Sequence, residues 1–418
     1  MTSHLQHRGF TRKIWFSNII HSKGSYRIQK EVTMNRIIKI GMDVHSKTFN
    51  LCAIEANIAG EDKILGSTQV TADYHEVVKF IEGLKKKLNT INPVDTFDIE
   101  CGYEAGCLGF SLCNQLAAMH IKCHILAPST ILQPNGKRVK TDARDAEWIA
   151  KQLAWGSCTF VHIPTEKDAG IKEYLRMRDD HKSDLKKNKQ RINALCLRNG
   201  YVYSGTKWTA RHWEWLKKLE LLEFVRETLD EYMATYQLQQ SSIERFDARI
   251  EELAADGEYA ESVKKLGCFL GIKTHTALSV IVETSDFSRF AKGNTYAAYL
   301  GLAPGESSSG EHICRTGITK AGNCHLRRLL VESAAGICKG KIGAKSKALK
   351  ARQSGNTSEV IAYADRANIR LRSKYYHMIR NGKKRNVAVT AIARELACFI
   401  WGMMTGNTLP RNDLRVVA

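Results

Sequence analysis

Ile37-Ile38-Lys39-Ile40-Gly41-Met42-Asp43 is an apolar run closed by a carboxylate, and the fold class is read outward from it. Phe49–Glu55 and Ile64–Thr71 continue the short strand pattern, and helical spacing then sets in over Tyr74–Leu88. Beyond it, strand runs at Phe97–Glu104 and Ile121–Ala127 alternate with helical patterns over Leu108–His120 and Asp142–Leu153. Three strands in succession predict an antiparallel meander, and the later alternation predicts strands added in parallel. The expected architecture is a mixed α/β sheet with helices on its faces.

Four carboxylates fall at telling places in that pattern. Asp43 and Glu104 end strand runs, while Asp142 and Asp145 stand three apart at the start of a helical one, so their side chains share a face. Hard divalent cations such as Mg2+ take oxygen ligands and keep positions open for water and phosphate. Two of them about 3.5–4 Å apart can stabilise both the attacking and the leaving oxygen of a phosphodiester. A ribonuclease H-like domain has this order of elements and draws its acidic residues from the first strand, a middle strand and a late helix. The plainer alternative makes Asp142 an N-cap and Asp145 a first-turn acid complementing the helix dipole. Asp43 resists that reading, because a carboxylate closing an apolar strand needs a partner to offset its desolvation.

At 418 residues the chain has room for two or three domains. Its net charge of +20 is uneven: residues 263–418 hold 26 Lys and Arg against 9 Asp and Glu, the electrostatic footprint of a polyanion binder. No run of 18 apolar residues occurs, so no membrane partner is expected. Residues 1–33 are basic and lack an apolar signal core; they read as a disordered leader or a misassigned start, with the first domain opening near Met34. The 12 cysteines form no CxxC pair, which indicates reduced thiols in a cytoplasmic setting. His312, Cys314, Cys324 and His325 offer zinc-type ligands at a spacing that fits no standard finger.

Residues 34–166 form the expected sheet domain, 167–262 a helical segment, 263–410 a mainly helical C-terminal domain and 411–418 a tail. Within the helical segment, 168–199 read as a charged helix with basic residues at Lys186, Lys187, Lys189 and Arg191. A second helix, expected over Glu214–Ala255, carries Leu222, Leu229, Tyr236, Ile243 and Ile250 at steps of seven, as well as Val225, Tyr232, Gln239, Phe246 and Leu253. That spacing predicts a coiled coil, either an intrachain hairpin or a contact with a second subunit. Leu266–Lys273 has the outline of a helix-hairpin-helix with Lys273 in place of a glycine, and equally that of a plain helix-turn-helix packing element.

Leu300-Gly301-Leu302-Ala303-Pro304-Gly305-Glu306-Ser307-Ser308-Ser309-Gly310 leads to Gly317-Ile318-Thr319-Lys320-Ala321-Gly322-Asn323 and then to a helix with Arg327 and Arg328. Read blandly it is a surface loop. Glycines also let a backbone approach a phosphate, Lys320, Arg327 and Arg328 can hold it, and a serine there can serve as a nucleophile once a base or metal takes its proton. In the last domain, residues 339–352 and 366–385, ending in Lys383, Lys384 and Arg385, can track phosphates; Tyr375 and Tyr376 can stack on bases or simply pack in the core.

From about Arg36 to Trp401 the chain resembles the DEDD transposases of the IS-one-ten type, in the IS-eleven-eleven branch. The resemblance rests on Gly41-Met42-Asp43-Val44-His45, Tyr103-Glu104-Ala105-Gly106, Arg138 to Ala146, Ala298 to Pro304, Ser308-Ser309-Gly310, Ile318 to Asn323 and Ala393-Arg394-Glu395-Leu396-Ala397. It implies a RuvC-like domain whose acidic tetrad is Asp43, Glu104, Asp142 and Asp145, binding Mg2+. It further implies a coiled coil and a C-terminal transposase domain with a nucleophilic serine, Ser309 by position with Ser308 as the alternative. A structured noncoding guide RNA from the element itself, donor and target DNA, and a homodimer or homotetramer at the nucleoid are the implied partners and setting.

Three other readings compete. A metal-only nuclease such as a Holliday-junction resolvase would use the tetrad alone. An actin-like kinase needs a glycine-rich phosphate loop after the first strand, where His45-Ser46-Lys47 stand instead. An RNA-binding scaffold accounts for the charge and leaves the carboxylates without a role.

Overall fold

The protein is described by a computed structural model that covers residues 35–56, 62–91, 93, 95–106, 108–131, 141–306 and 314–408. The chain divides into two compact units at His162/Ile163.

The first unit is built on five strands: β1 (Asn35–Val44), β2 (Thr48–Glu55), β3 (Lys63–Thr71), β4 (Thr96–Glu104) and β5 (Lys122–Leu126), in the spatial order β3-β2-β1-β4-β5. β1–β2 and β2–β3 are antiparallel, while β1–β4 and β4–β5 are parallel. The mixed sheet expected from the sequence is therefore present, with each strand within two residues of its predicted bounds. Its helices are α1 (Tyr74–Ile91), α2 (Ser111–Ala118) and α3 (Asp142–Trp155).

Alternation along β1 settles which helix covers which face. Ile38, Ile40 and Met42 are fully buried on one side of the strand. On the other side Gly41 leaves room for α3: a Cβ there would stand 2.1 Å from the Ala146 carbonyl oxygen and 2.3 Å from the Ala150 nitrogen. Gly102, paired with Gly41 on β4, lies under Leu153 of the same helix. Two side-chain-free positions side by side thus let α3 lie close on the sheet.

The second unit is mostly helical. α4 (Glu166–Arg198) and α6 (Glu223–Ala254) pack against each other, with the short α5 (Ala210–Lys217) between them in sequence. Leu229, Tyr236 and Ile243 of the heptad series are buried with Leu185 and Ile192 of α4, so a partner of the series is the preceding helix of the same chain. One expectation is corrected here. The helix expected from Glu214 is broken over residues 218–222, and Leu222, taken as the first heptad position, precedes α6 and is 82% exposed. Ile171, Leu175, Ile250 and Ala254, at the base of the helical pair, belong to the core of the residues that follow.

That core is assembled from α7 (Ala260–Gly267), α8 (Thr274–Thr284), α9 (Gly293–Tyr299), α10 (Cys324–Ile337), α11 (Lys347–Gln353), α12 (Ser358–Arg380) and α13 (Arg385–Met404). A short hairpin, β6 (Pro304–Glu306) with β7 (Arg315–Ile318), stands beside α9 and α10 in the chain order. The turn between α7 and α8 is internal: Cys268, Phe269 and Ile272 are fully buried, and Gly271, at φ +88°, abuts the Ser333 backbone of α10. Its burial favours the packing-element reading over a DNA-gripping hairpin. Among the described residues α13 is the one helix long and apolar enough to cross a membrane, and Ile392, Leu396 and Ile400 bury it in the core.

Candidate active site

β1 delivers Asp43 at its penultimate residue, beyond the buried Met42, and the parallel register that pairs Met42 with Tyr103 brings Glu104, the last residue of β4, alongside. Asp43 and Glu104 follow Gly41 and Gly102 by two residues and so share the face that α3 covers. The extended Thr141 begins α3, making Asp142 the first helical residue rather than the N-cap, with Asp145 one turn on. Glu104 thus stands beside Asp43 by strand register, and Asp142 and Asp145 act on Asp43 from the first turn of α3, while the close group of ligand atoms takes in Asp43 and Asp142 without Glu104 or Asp145.

Ligand atoms of Asp43, His45 and Asp142 all lie within 4.8 Å of one another. His45 Nε2 is 3.2 Å from Asp43 Oδ2. The imidazole is a site residue that the sequence reading missed; its one signal was its place directly after Asp43-Val44. Burial pushes the Asp43 carboxyl above its ordinary range, His45 offsets part of this, and the charges of Asp142 and Asp145 push it further up. Like charges held this close are the condition a divalent cation relieves. Carboxylates with a partly exposed approach fit a hard or borderline divalent ion, and an imidazole in the set widens the choice beyond Mg2+ to ions such as Mn2+.

In the second unit, two of the sequence signatures are laced together. Leu302 N–H donates to Ala297, Thr319 N–H to Ala303, Lys320 N–H to Gly301 and Asn323 N–H to Tyr299. Gly301 and Gly322 both have φ of +66°, and a Cβ on Gly322 would meet the Tyr299 carbonyl oxygen at 1.9 Å. Ser307, Ser308 and Ser309, together with His312, lie outside the described residues; the lacing describes what flanks them in sequence. Lys320 is exposed with φ +58°. Arg327 uses Nη1 to donate to the Leu300 and Ala321 carbonyls, 2.9 Å each, so that guanidinium nitrogen braces the lacing.

Next to it is a buried charge cluster that the sequence did not announce. His325 is held between two carboxylates, Nδ1 at 2.8 Å from Glu283 Oε1 and Nε2 at 2.9 Å from Asp179 Oδ2. Glu283 also accepts two hydrogen bonds of 2.8 Å from Arg176 and one from Asn323 Nδ2, while Arg328 and Arg178 donate to Asp179. Burial alone would lift both acids, yet these donors hold Asp179 well below the usual carboxylate range and Glu283 down to about 2. Burial lowers His325 as well, and its two carboxylates more than offset it, so the imidazole ends raised. With both nitrogens so engaged, His325 is not a free zinc ligand.

Lys383, Lys384 and Arg385 are exposed at the α12–α13 turn, as a phosphate-tracking role requires. The stretch before them is more committed. Lys374 pairs with Glu395, Arg372 is buried and donates to the Ile337 carbonyl at 2.8 Å, Tyr375 is buried, and the Tyr376 hydroxyl donates to Gly340 at 2.8 Å. Core packing therefore accounts for both tyrosines.

Comparison with known proteins adds an independent line. Residues 264–349 match the family described as transposase IS116/IS110/IS902, and residues 40–199 match the DEDD transposase domain of the IS110 group. The chain is similar to the transposase for insertion sequence element IS1533 of Leptospira borgpetersenii, 30% identical over 84% of this chain and 99% of the relative. It is similar also to the putative transposase y4qE of Sinorhizobium fredii, at 29% identity over 94% of this chain and 95% of that one. The pilin gene-inverting protein of Moraxella bovis is 25% identical, over 78% and 91% respectively.

Proposed function

The chain belongs to the IS116/IS110/IS902 family of transposases, and from that premise we propose that it excises and inserts DNA through a covalent phosphoserine intermediate, assisted by a Mg2+-binding DEDD site. The observation that carries the metal part is the approach of Asp43 and Asp142, with His45, to within 4.8 Å at the end of β1.

Asp43, Glu104, Asp142 and Asp145 are the residues that hold the divalent ion in this reading. When bound, such an ion supplies Lewis-acid stabilisation of charge on phosphate and leaving oxygen. Ser309, with Ser308 as the alternative, attacks a DNA phosphorus through Oγ; the P–O bond to the departing strand breaks, and the hydroxyl proton passes to a base of the site. Lys320, Arg327 and Arg328, with Lys383, Lys384 and Arg385, counter the phosphate charge. The charge excess of residues 263–418 supports a nucleic-acid partner there, donor and target DNA together with a structured noncoding RNA. Two DNA segments must be held together, which calls for a homodimer or homotetramer, at the nucleoid of a bacterial cytoplasm.

The pilin gene-inverting relative is named for inversion, a recombination outcome that the same cut-and-rejoin chemistry delivers. The reading is tested on a denaturing gel with labelled donor DNA, the flanking noncoding RNA and Mg2+. A protein–DNA adduct that survives denaturation and disappears in Ser309→Ala and Asp43→Ala is the expected result. Cleaved DNA with no adduct, unaffected by Ser309→Ala, would replace it with a metal-only nuclease.

A further inference from the structure

Asn50 of β2 pairs with Asp43 of β1 in the antiparallel register. Cross-strand partners share a face of the sheet, with Cβ atoms about 4.5–5.5 Å apart. That face is the one beneath α3. Cys52, two residues from Asn50 and paired with Gly41, packs with Ala146 and Ala150 of the helix. Asn50 therefore stands on the side of the sheet where Asp43, Asp142 and Asp145 converge. It is 6% exposed, and its Nδ2 has no hydrogen-bond partner among the described residues.

An amide donor buried without an acceptor is destabilising. Leu51, Cys52, Ala53 and Ile54, the next four residues, are all buried and apolar, so an aliphatic side chain at position 50 would suit the strand. We propose that Asn50 is a positioning residue of the DEDD site, its Nδ2 serving as donor to the Asp43 carboxylate oxygen left free when a divalent cation takes the other. His45 Nε2 lies 3.2 Å from Asp43 Oδ2, and a donor from Asn50 would fix the carboxylate in the ligating orientation, the service that outer hydrogen bonds render to metal ligands generally. The inference rests on the reading of the tetrad as a metal site.

A donor with this role makes two opposite predictions, which a purely structural residue does not. The full chain is titrated with Mn2+ by calorimetry, and its thermal unfolding is followed without metal, for the wild type, Asn50→Leu and Asp43→Ala. Asn50→Leu should unfold at or above the wild-type temperature in the absence of metal and bind Mn2+ about tenfold more weakly. Wild-type affinity in Asn50→Leu, with binding lost in Asp43→Ala, overturns the role of Asn50 and leaves the metal reading standing. Equal titration of wild type and Asp43→Ala overturns both. Should the leucine variant not fold, Asn50→Ala is titrated well below its own midpoint, where a tenfold loss supports the role and unchanged affinity overturns it.

Discussion

Gly41 of β1 lies directly beneath Ala146 of α3, so close that a methyl group on the glycine would stand 2.1 Å from the alanine carbonyl oxygen. The acidic corner exists because of this contact, since α3 carries Asp142 and Asp145 to the end of the strand that carries Asp43. Gly41→Ala must lift the helix off the sheet. It should cost about 1–3 kcal/mol or more as overpacking and abolish divalent-ion binding. Gly83→Ala is the control: a Cβ there meets nothing within 4 Å, and in the middle of α1 the change should stabilise by roughly 0.5–1 kcal/mol. Urea unfolding and Mn2+ titration of the two variants check the contrast.

Asp43 is a residue the fold would be more stable without. Its carboxyl is raised by burial and by Asp142 and Asp145, with His45 offsetting part of the rise. A native-state value above the unfolded one means that the native state keeps the proton longer, so this group erodes stability as pH rises through that range. Asp43→Asn should therefore raise the unfolding temperature at pH 8, by a few degrees for each ~1 kcal/mol, while eliminating strand transfer. A variant that melts lower than wild type at pH 8 would contradict this account.

The His325 cluster predicts a stability maximum in pH. His325 is raised, so its contribution is complete below the ordinary histidine value of about 6.5 and is lost as pH climbs through the raised one. Glu283 and Asp179 are depressed, so theirs is present above the ordinary carboxylate range of about 4 and is lost on acidification below it. His275, pulled by burial to about 4 with Asp179 opposing, is neutral in the native state and adds to the acid loss below 6.5. Denaturant unfolding from pH 4 to 9 should thus peak at about 6.5. His325→Gln should lower the peak by about 3 kcal/mol, the cost of uncoupling buried charges, and flatten the alkaline limb. An alkaline limb identical in both proteins would rule the cluster out as its source.

The α4–α6 pair makes a third kind of test. Ile243 is buried between the helices and Leu222 is 82% exposed before α6 begins. Ile243→Ala should cost about 2–5 kcal/mol as a cavity, whereas Leu222→Ala should stay within ~0.5 kcal/mol. Equal losses at the two positions would show that the heptad continues past the break at residues 218–222.

Much of the first unit was legible because strand signals are local. Apolar alternation over Ile37–Asp43, Phe49–Glu55 and Phe97–Glu104 marks strands without reference to anything distant, and the order of strands and helices restricts the topology. The family signatures were likewise legible residue by residue. Leu222 misled because a seven-residue spacing extends on paper across a break that only the local backbone reveals, at the extended residue preceding α6.

The amino-acid sequence by itself determined the mixed sheet, the four carboxylates and the family, since each is written in contiguous residues or in fixed spacings. The tertiary structure alone decided that His45 joins Asp43 and Asp142, that Asn50 is buried opposite Asp43 with no acceptor for its Nδ2 among the described residues, and that His325 links Asp179 to Glu283. The physical reason is that desolvation and hydrogen bonding depend on which side chains meet. Residues 179, 283 and 325 come from three separate helices, and no periodicity in the chain records that they share one dry space.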